Sequence, residues 1–166
     1  MILLGLDAST KSTGWAILND GRLGEYGLIT SASDDLFKRI TKQVNELKVI
    51  LTNNKIDKII LEEVRPETGN QNVKTHKALM YLQGAILMMI HDSFPKIKVE
   101  FLYPSEWRKA CGISTGRGVT RSSLKPQDIA FVKQVYNIIV NDDIADAIGL
   151  AYAYNQNNTE KIEWGE

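Results

Sequence analysis

The chain opens with an unbroken apolar run that ends in a carboxylate, Met1-Ile-Leu-Leu-Gly-Leu-Asp7. A short polar turn separates it from a second run, Gly14-Trp15-Ala16-Ile17-Leu18. The first run is too short and too aliphatic to favour a helix, and turn residues bound it, so it reads as a buried strand feeding a second strand. Asp7 then falls inside or at the end of a buried strand. A lone carboxylate there is costly unless it is paired, hydrogen-bonded or bound to a cation. Two readings stand side by side. Asp7 can cap the following turn, or it can be a metal ligand, which requires more carboxylates from elsewhere in the chain.

The rest of the chain supplies the frame. Asn19-Asp20-Gly21 is a hairpin signal leading into a third strand-like run, Arg22 to Ser31. The period then changes: Leu36, Ile40, Val44, Leu47 and Leu51 recur every three or four residues, as in an amphipathic helix capped by Ser33 or Asp34. Asp57 to Val64 returns to a strand, with Ile59, Ile60 and Leu61 consecutive and Glu62 and Glu63 at its end. A helix is expected over residues 71–92, with Met80, Met88 and Met89 as core filler. Ile97 to Tyr103 is a fifth strand, and Pro104 to Ala110 starts like a short helix. Residues 112–125 hold three glycines and five hydroxyl residues and read as a flexible loop. Pro126 suits the first turn of the next helix, and Asn141 caps a last one from Asp142 to Tyr154. A meander of three strands followed by alternating helix and strand is an α/β domain with a mixed sheet. The first three strands are antiparallel, and the later ones run parallel to the first. One domain over residues 1–155 and a polar tail over 156–166 are expected.

Composition excludes several classes. Apolar residues make up 43% and charged residues 24%, so this is a globular chain, neither disordered nor membrane-spanning. No signal peptide is visible and Cys111 is the only cysteine, which fits a reducing, cytoplasmic compartment. Cys111 itself reads as a packed thiol. His76 and His91 fall in one helical stretch and form no catalytic pattern.

Carboxylates recur where chemistry would need them. Asp7 ends the first strand and Glu62 the fourth; if these are parallel neighbours, the two share one edge of the sheet. Side chains alternate along a strand, so only one of Glu62 and Glu63 faces the same side as Asp7. Asp143 and Asp146 are three apart at the start of the last helix and share a face. Carboxylates gathered at one point repel one another unless cations sit among them. Oxygen-only ligands favour Mg²⁺ or Mn²⁺, and two such ions about 3.5–4 Å apart can drive phosphodiester hydrolysis.

These residues carry a family resemblance. Gly5-Leu6-Asp7-Ala8-Ser9-Thr10 with Gly14-Trp15-Ala16-Ile17, then Ile60-Leu61-Glu62-Glu63-Val64, then Asp143-Ile-Ala-Asp146-Ala147, resemble the RuvC branch of the RNase H-like nucleases, and more closely its phage-encoded relatives. The resemblance spans nearly the whole chain and implies an RNase H-like fold. It implies a Holliday junction resolvase that leaves 5′-phosphate ends, with two divalent ions held by Asp7, Glu62, Asp143 and Asp146. It selects Glu62 over Glu63. Cutting a four-way junction symmetrically needs two sites, so a homodimer is implied; the apolar stripe of the helix over 71–92 has two readings, part of that interface or core. The family holds DNA with basic residues between the last strand and last helices. Here Arg108, Lys109, Arg117, Arg121 and Lys125 occur with no acidic residue between Glu106 and Asp128. The bland alternative is a solvated loop. Trp15 and Trp107 read as buried packing rather than base-stacking groups. RuvC proteins often carry an aromatic just after the fourth strand; Arg65 stands there in this chain and can hold phosphate or stack on a base. That departure widens the expected substrates to forks and flaps. Two rivals remain: an RNase H-like ATPase, which needs two such subdomains, and a catalytically silent junction-binding protein.

Overall fold

The computed structural model describes residues 1–64 and 73–163. Five strands form one sheet: β1 (Ile2–Asp7), β2 (Ser12–Asn19), β3 (Arg22–Thr30), β4 (Lys58–Glu62) and β5 (Lys98–Leu102), in the order β3-β2-β1-β4-β5. β1–β2 and β2–β3 pair antiparallel, while β1–β4 and β4–β5 pair parallel. This is the expected mixed sheet. The β2–β3 hairpin turns through Asp20 (φ 49°) and Gly21 (φ 77°). Both lie in the left-handed region that a tight hairpin turn demands, which explains the Asp-Gly pair.

Alternation sorts the sheet into two faces. Leu4, Leu6, Ile17, Ile59 and Leu61 face one core, covered by α1 (Leu36–Asn53) and α2 (Val73–Ser93). Leu3, Ala16, Leu18 and Ile60 face the other. That second face is covered by α3 (Pro104–Ala110), α4 (Arg121–Tyr136) and α5 (Asp142–Glu163). Asp7 follows Leu3 and Gly5 in parity, and Glu62 follows Ile60, so both belong to the second face.

α5 lies unusually close to that face. A Cβ on Gly5 would fall 1.9 Å from the Ala147 carbonyl oxygen, and one on Gly14 would fall 1.9 Å from the Asp143 carbonyl oxygen. Only glycine admits the helix backbone at these two points. Gly14 is the register partner of Asp7, so the first turn of α5 is set down directly beside Asp7.

Several local expectations change. The cap of α1 is Asp35, whose Oδ1 accepts from the backbone N–H groups of Phe37 and Lys38; it is neither Ser33 nor Asp34. α4 begins at Arg121, five residues before Pro126, because Thr120 forms a capping box with Ser123. Pro126 sits inside this helix, and Lys125 and Arg121 are helical rather than loop residues. Asn141 does cap α5, its Oδ1 accepting from Ile144 N–H at 3.0 Å. α5 continues past Tyr154 to Glu163. Met80 and Met88 are exposed and do not fill the core, whereas Met89 packs against it as expected.

Candidate active site

Four carboxylates lie near the carboxyl ends of β1 and β4 and the first turns of α5, at electrostatic range of one another. Leu6 pairs with Leu61 in parallel register, which sets Asp7 beside Glu62 at the ends of adjacent strands. Asp143 and Asp146 hang from α5, one turn apart. Asp7 feels the charges of Glu62 and Asp143, and Asp146 feels that of Asp7.

Each of three carboxylates has one oxygen tied to a neighbour. The Glu62 Oε2 accepts from Trp107 Nε1 at 2.8 Å. The Asp143 Oδ2 accepts from Ser12 Oγ at 2.6 Å. The Asp146 Oδ2 accepts from Arg108 Nη2 at 3.3 Å. The backbone of Glu62 is fixed as well, since buried Gln83 on α2 donates to its carbonyl oxygen at 3.0 Å. The sequence reading missed Ser12, Gln83 and Asp128 as site-building residues. The signal for Gln83 was an amide within an apolar helical stripe.

Burial and crowding raise the proton affinity of the group. Burial first, then the charges of Glu62 and Asp143, push Asp7 up to about 8. Burial also raises Glu62, against the pull of its Trp107 hydrogen bond. Asp146 rises strongly, through burial and then through the charges of Asp7 and Asp128. Such a set is held together at neutral pH only by shared protons or by cations.

The donors suit a hard cation. All are oxygens, and Asp146 Oδ1 is buried with no hydrogen-bond partner among the described residues. The carboxylates stand at electrostatic range of one another. Among the described residues no three His, Cys, Asp or Glu side chains form a ready cage for an ion. Ser12, Trp107 and Arg108 hold the acidic side chains from the rear.

The basic residues divide. Lys109, Arg117, Arg121 and Lys125 are exposed. Arg121, at the start of α4, lies near enough to lower Asp7 and Glu62. Lys125 pairs with Asp142. Arg108 is different: its side chain is 11% exposed and paired with buried Asp128 and with Asp146. It is spent inside the protein and does not line the surface. Arg65 lies outside the described residues. Trp107 is fully buried, and Trp15 packs partly buried on the α1/α2 side.

A family model, crossover junction endodeoxyribonuclease RuvC, matches residues 3–154. This chain belongs to the RuvC family. Among curated relatives, a RuvC of Ehrlichia ruminantium is 30% identical over 164 residues, covering 93% of this chain and 96% of the relative. A RuvC of Ehrlichia canis is 32% identical over 166 residues, covering 95% and 99%. Among solved structures, Thermus thermophilus RuvC in complex with a Holliday junction superposes with a TM-score of 0.75 at 13% identity, covering 96% of each chain. The Fowlpox virus resolvase bound to junction DNA superposes with a TM-score of 0.59 at 18% identity, covering 95% of this chain and 99% of that one. At such identities the structural likeness speaks for the RNase H-like fold. RuvC-family membership rests on the sequence matches. Among the described residues, no helix is long and apolar enough to cross a membrane.

Proposed function

We propose that this RuvC-family chain is an endonuclease that resolves Holliday junctions by hydrolysing phosphodiester bonds, with divalent cations held by Asp7, Glu62, Asp143 and Asp146. What supports the reading is that Asp7 and Glu62 end adjacent parallel strands while Asp143 and Asp146 open the helix laid over them, in a chain whose family model is that of a crossover junction endodeoxyribonuclease. Mg²⁺ or Mn²⁺ would supply an activated water and stabilise the leaving oxygen. Asp7, which interacts with each of the other three, would hold a cation together with them. Glu62 and Asp146 flank it and Asp143 completes the set. Trp107, Ser12 and Arg108 each take one carboxylate oxygen, which would leave the remaining oxygens to hold the ions. Arg121 and Lys125 on α4, with Lys109 and Arg117 nearby, would hold the phosphates on either side of the cut. Arg108 is not part of that surface.

Two cuts across a junction call for two sites, and α2 offers a face for pairing. Val73, Met80, Tyr81, Leu87 and Met88 are exposed along it. Seven-residue spacing lines up Val73, Met80 and Leu87, which supports a homodimer joined through this helix.

The test is cleavage of a labelled four-way junction in Mg²⁺ and in Mn²⁺, beside a fork, a linear duplex, and the Asp7→Asn and Glu62→Gln variants. Paired symmetric nicks on the junction, absent from the duplex and lost in both variants with junction binding kept, are expected. Equal cutting of the fork would make it a broader debranching nuclease. Near-normal cutting by both variants would remove the site assignment.

A further inference from the structure

Behind the four carboxylates lies a fifth. Asp128 on α4 has a fully buried side chain, and its partner is Arg108 on α3. Arg108 Nε donates to both Asp128 oxygens at 3.2 Å, and Nη2 donates to Oδ2 at 3.0 Å. The same Nη2 reaches forward to Asp146 Oδ2 at 3.3 Å. The guanidinium also lies 4.2 Å from the Trp107 ring, so it is held in plane from one side. The result is a relay of three side chains on three helices: Asp128, Arg108, Asp146. At its front end, Asp146 keeps Oδ1 buried and without a partner among the described residues.

The division of hydrogen bonds is unequal. Asp128 takes three contacts from the guanidinium and Asp146 takes one, the longest of the four. A guanidinium free of Asp128 would be drawn to Asp146, where a fork-to-fork pair would occupy both carboxylate oxygens. An uncompensated cation next to the site would also repel a divalent ion. We propose that Asp128 is a positioning residue for the cation site: by holding and neutralising Arg108, it limits the guanidinium to one oxygen of Asp146 and leaves the other open to the metal ion. Arg108 acts through Asp146, and Asp128 acts through Arg108 while also standing close enough to Asp146 to bear on it directly. Neither touches substrate. This role rests on the assignment of Asp146 as a metal ligand.

The two parts of the relay are separable. Asp128→Asn keeps the shape, removes the compensating charge and frees Arg108. Both changes act against a cation, so Mn²⁺ binding weakens. Outer partners of metal ligands usually contribute about 10–100-fold to metal affinity. Arg108→Lys keeps the charge, so Asp128 stays balanced, but one ammonium cannot span Asp128 and Asp146 as the planar fork does. It too should weaken Mn²⁺ binding, through lost orientation.

The experiment is direct Mn²⁺ titration of the whole protein without DNA, followed by electron paramagnetic resonance, on wild type, Asp128→Asn and Arg108→Lys. Circular dichroism spectra confirm folding, and junction cleavage is then measured across a range of Mn²⁺ concentrations. A weaker Mn²⁺ affinity by about 10-fold or more is expected in either variant, with cleavage recovering at high Mn²⁺. Affinity within two-fold of wild type in a folded variant would overturn the relay and leave the metal site standing. Should Asp128→Asn not fold, Arg108→Lys decides alone by the same criterion. Absence of Mn²⁺ binding to wild type would overturn the metal assignment itself, and the relay with it.

Discussion

Replacing Asp7 by Asn should stabilise the metal-free protein at neutral pH while abolishing cleavage. Asp7 has its carboxyl raised from 3.8 to about 8, chiefly by burial and then by Glu62 and Asp143. Because the folded value lies above the unfolded one, folding favours the protonated acid. The contribution to stability is full below pH 3.8 and is lost as pH rises toward 8. At pH 7 about three pH units have been passed at 1.36 kcal/mol each, a loss on the order of 4 kcal/mol. Asn has nearly the same shape and no charge to desolvate. Allowing for relaxation around the site, it should recover about 2–4 kcal/mol. For a chain of 166 residues, 1 kcal/mol moves the melting temperature by roughly 2–4 °C, so the variant should melt about 5–15 °C higher at pH 7 in EDTA. Scanning calorimetry at pH 4 and pH 7 measures this directly. The two proteins should melt close together at pH 4, where the unfolded acid also takes up its proton and little of the difference remains. Mg²⁺ or Mn²⁺ should raise the wild type and help the variant little. A variant that melts no higher than wild type at pH 7, or one with equal gains at both pH values, would refute the electrostatic account of the site.

Three further outcomes follow from named contacts. Trp107→Phe keeps an aromatic ring in the core but removes the N–H that holds Glu62; cleavage should fall about 10–100-fold with junction binding unchanged, and an unchanged single-turnover rate would count against the contact. Gly14→Ala places a methyl group 1.9 Å from the Asp143 carbonyl oxygen; displacement of α5 should cost about 1–3 kcal/mol of stability and reduce cleavage about 100-fold, read by thermal melting and by rate. Arg121→Gln removes an exposed charge beside the site; junction affinity should become less sensitive to salt, the log–log slope falling by about 1.

That one of Glu62 and Glu63 faces Asp7 was legible because strand parity is rigid, and the family resemblance picked Glu62. Apolar runs covered on both faces mark β1 and β4, and a period of two then leaves one glutamate facing Asp7. The start of α4 was not legible for the opposite reason. Gly116, Gly118 and the hydroxyl residues around them look like loop, yet Thr120 and Ser123 are a reciprocal cap. Pro126 looks like a first-turn residue, but it lies in the sixth position of α4. Arg108 shows the limit of counting charges along a chain. Five cations in sequence read as one surface, but a count does not distinguish a guanidinium with a buried partner from one in solvent. A signal for that partner did exist. Asp128 stands four residues after Leu124 and four before Val132, both packed into the core on α4, so helical spacing puts a carboxylate on the apolar stripe.

The buried Arg108–Asp128 pair is not the most stable solution available to the fold. Replacing such a pair by well-packed apolar side chains is often neutral or stabilising by about 1–4 kcal/mol, because both charges must be stripped of water. The surroundings would accept such a change, since Phe131, Val132, Ile113 and Ala145 already make this core. Stability alone therefore gives no reason for the pair. What an apolar pair would lack is the single N–H offered to Asp146. The acidic cluster imposes a similar cost at Asp7, whose burial disfavours the charged form that a cation would need. Both costs fall on the same face of the sheet, where Gly5 and Gly14 bring α5 close enough for its carboxylates to meet those of β1 and β4. The opposite face, with Leu4, Leu6, Ile17, Ile59 and Leu61 packed under α1 and α2, carries an apolar core whose buried polar side chains, Gln43 and Gln83, are uncharged amides. Apolar burial is shared by both faces, whereas the crowded carboxylates and the buried ion pair are confined to the face under α3, α4 and α5.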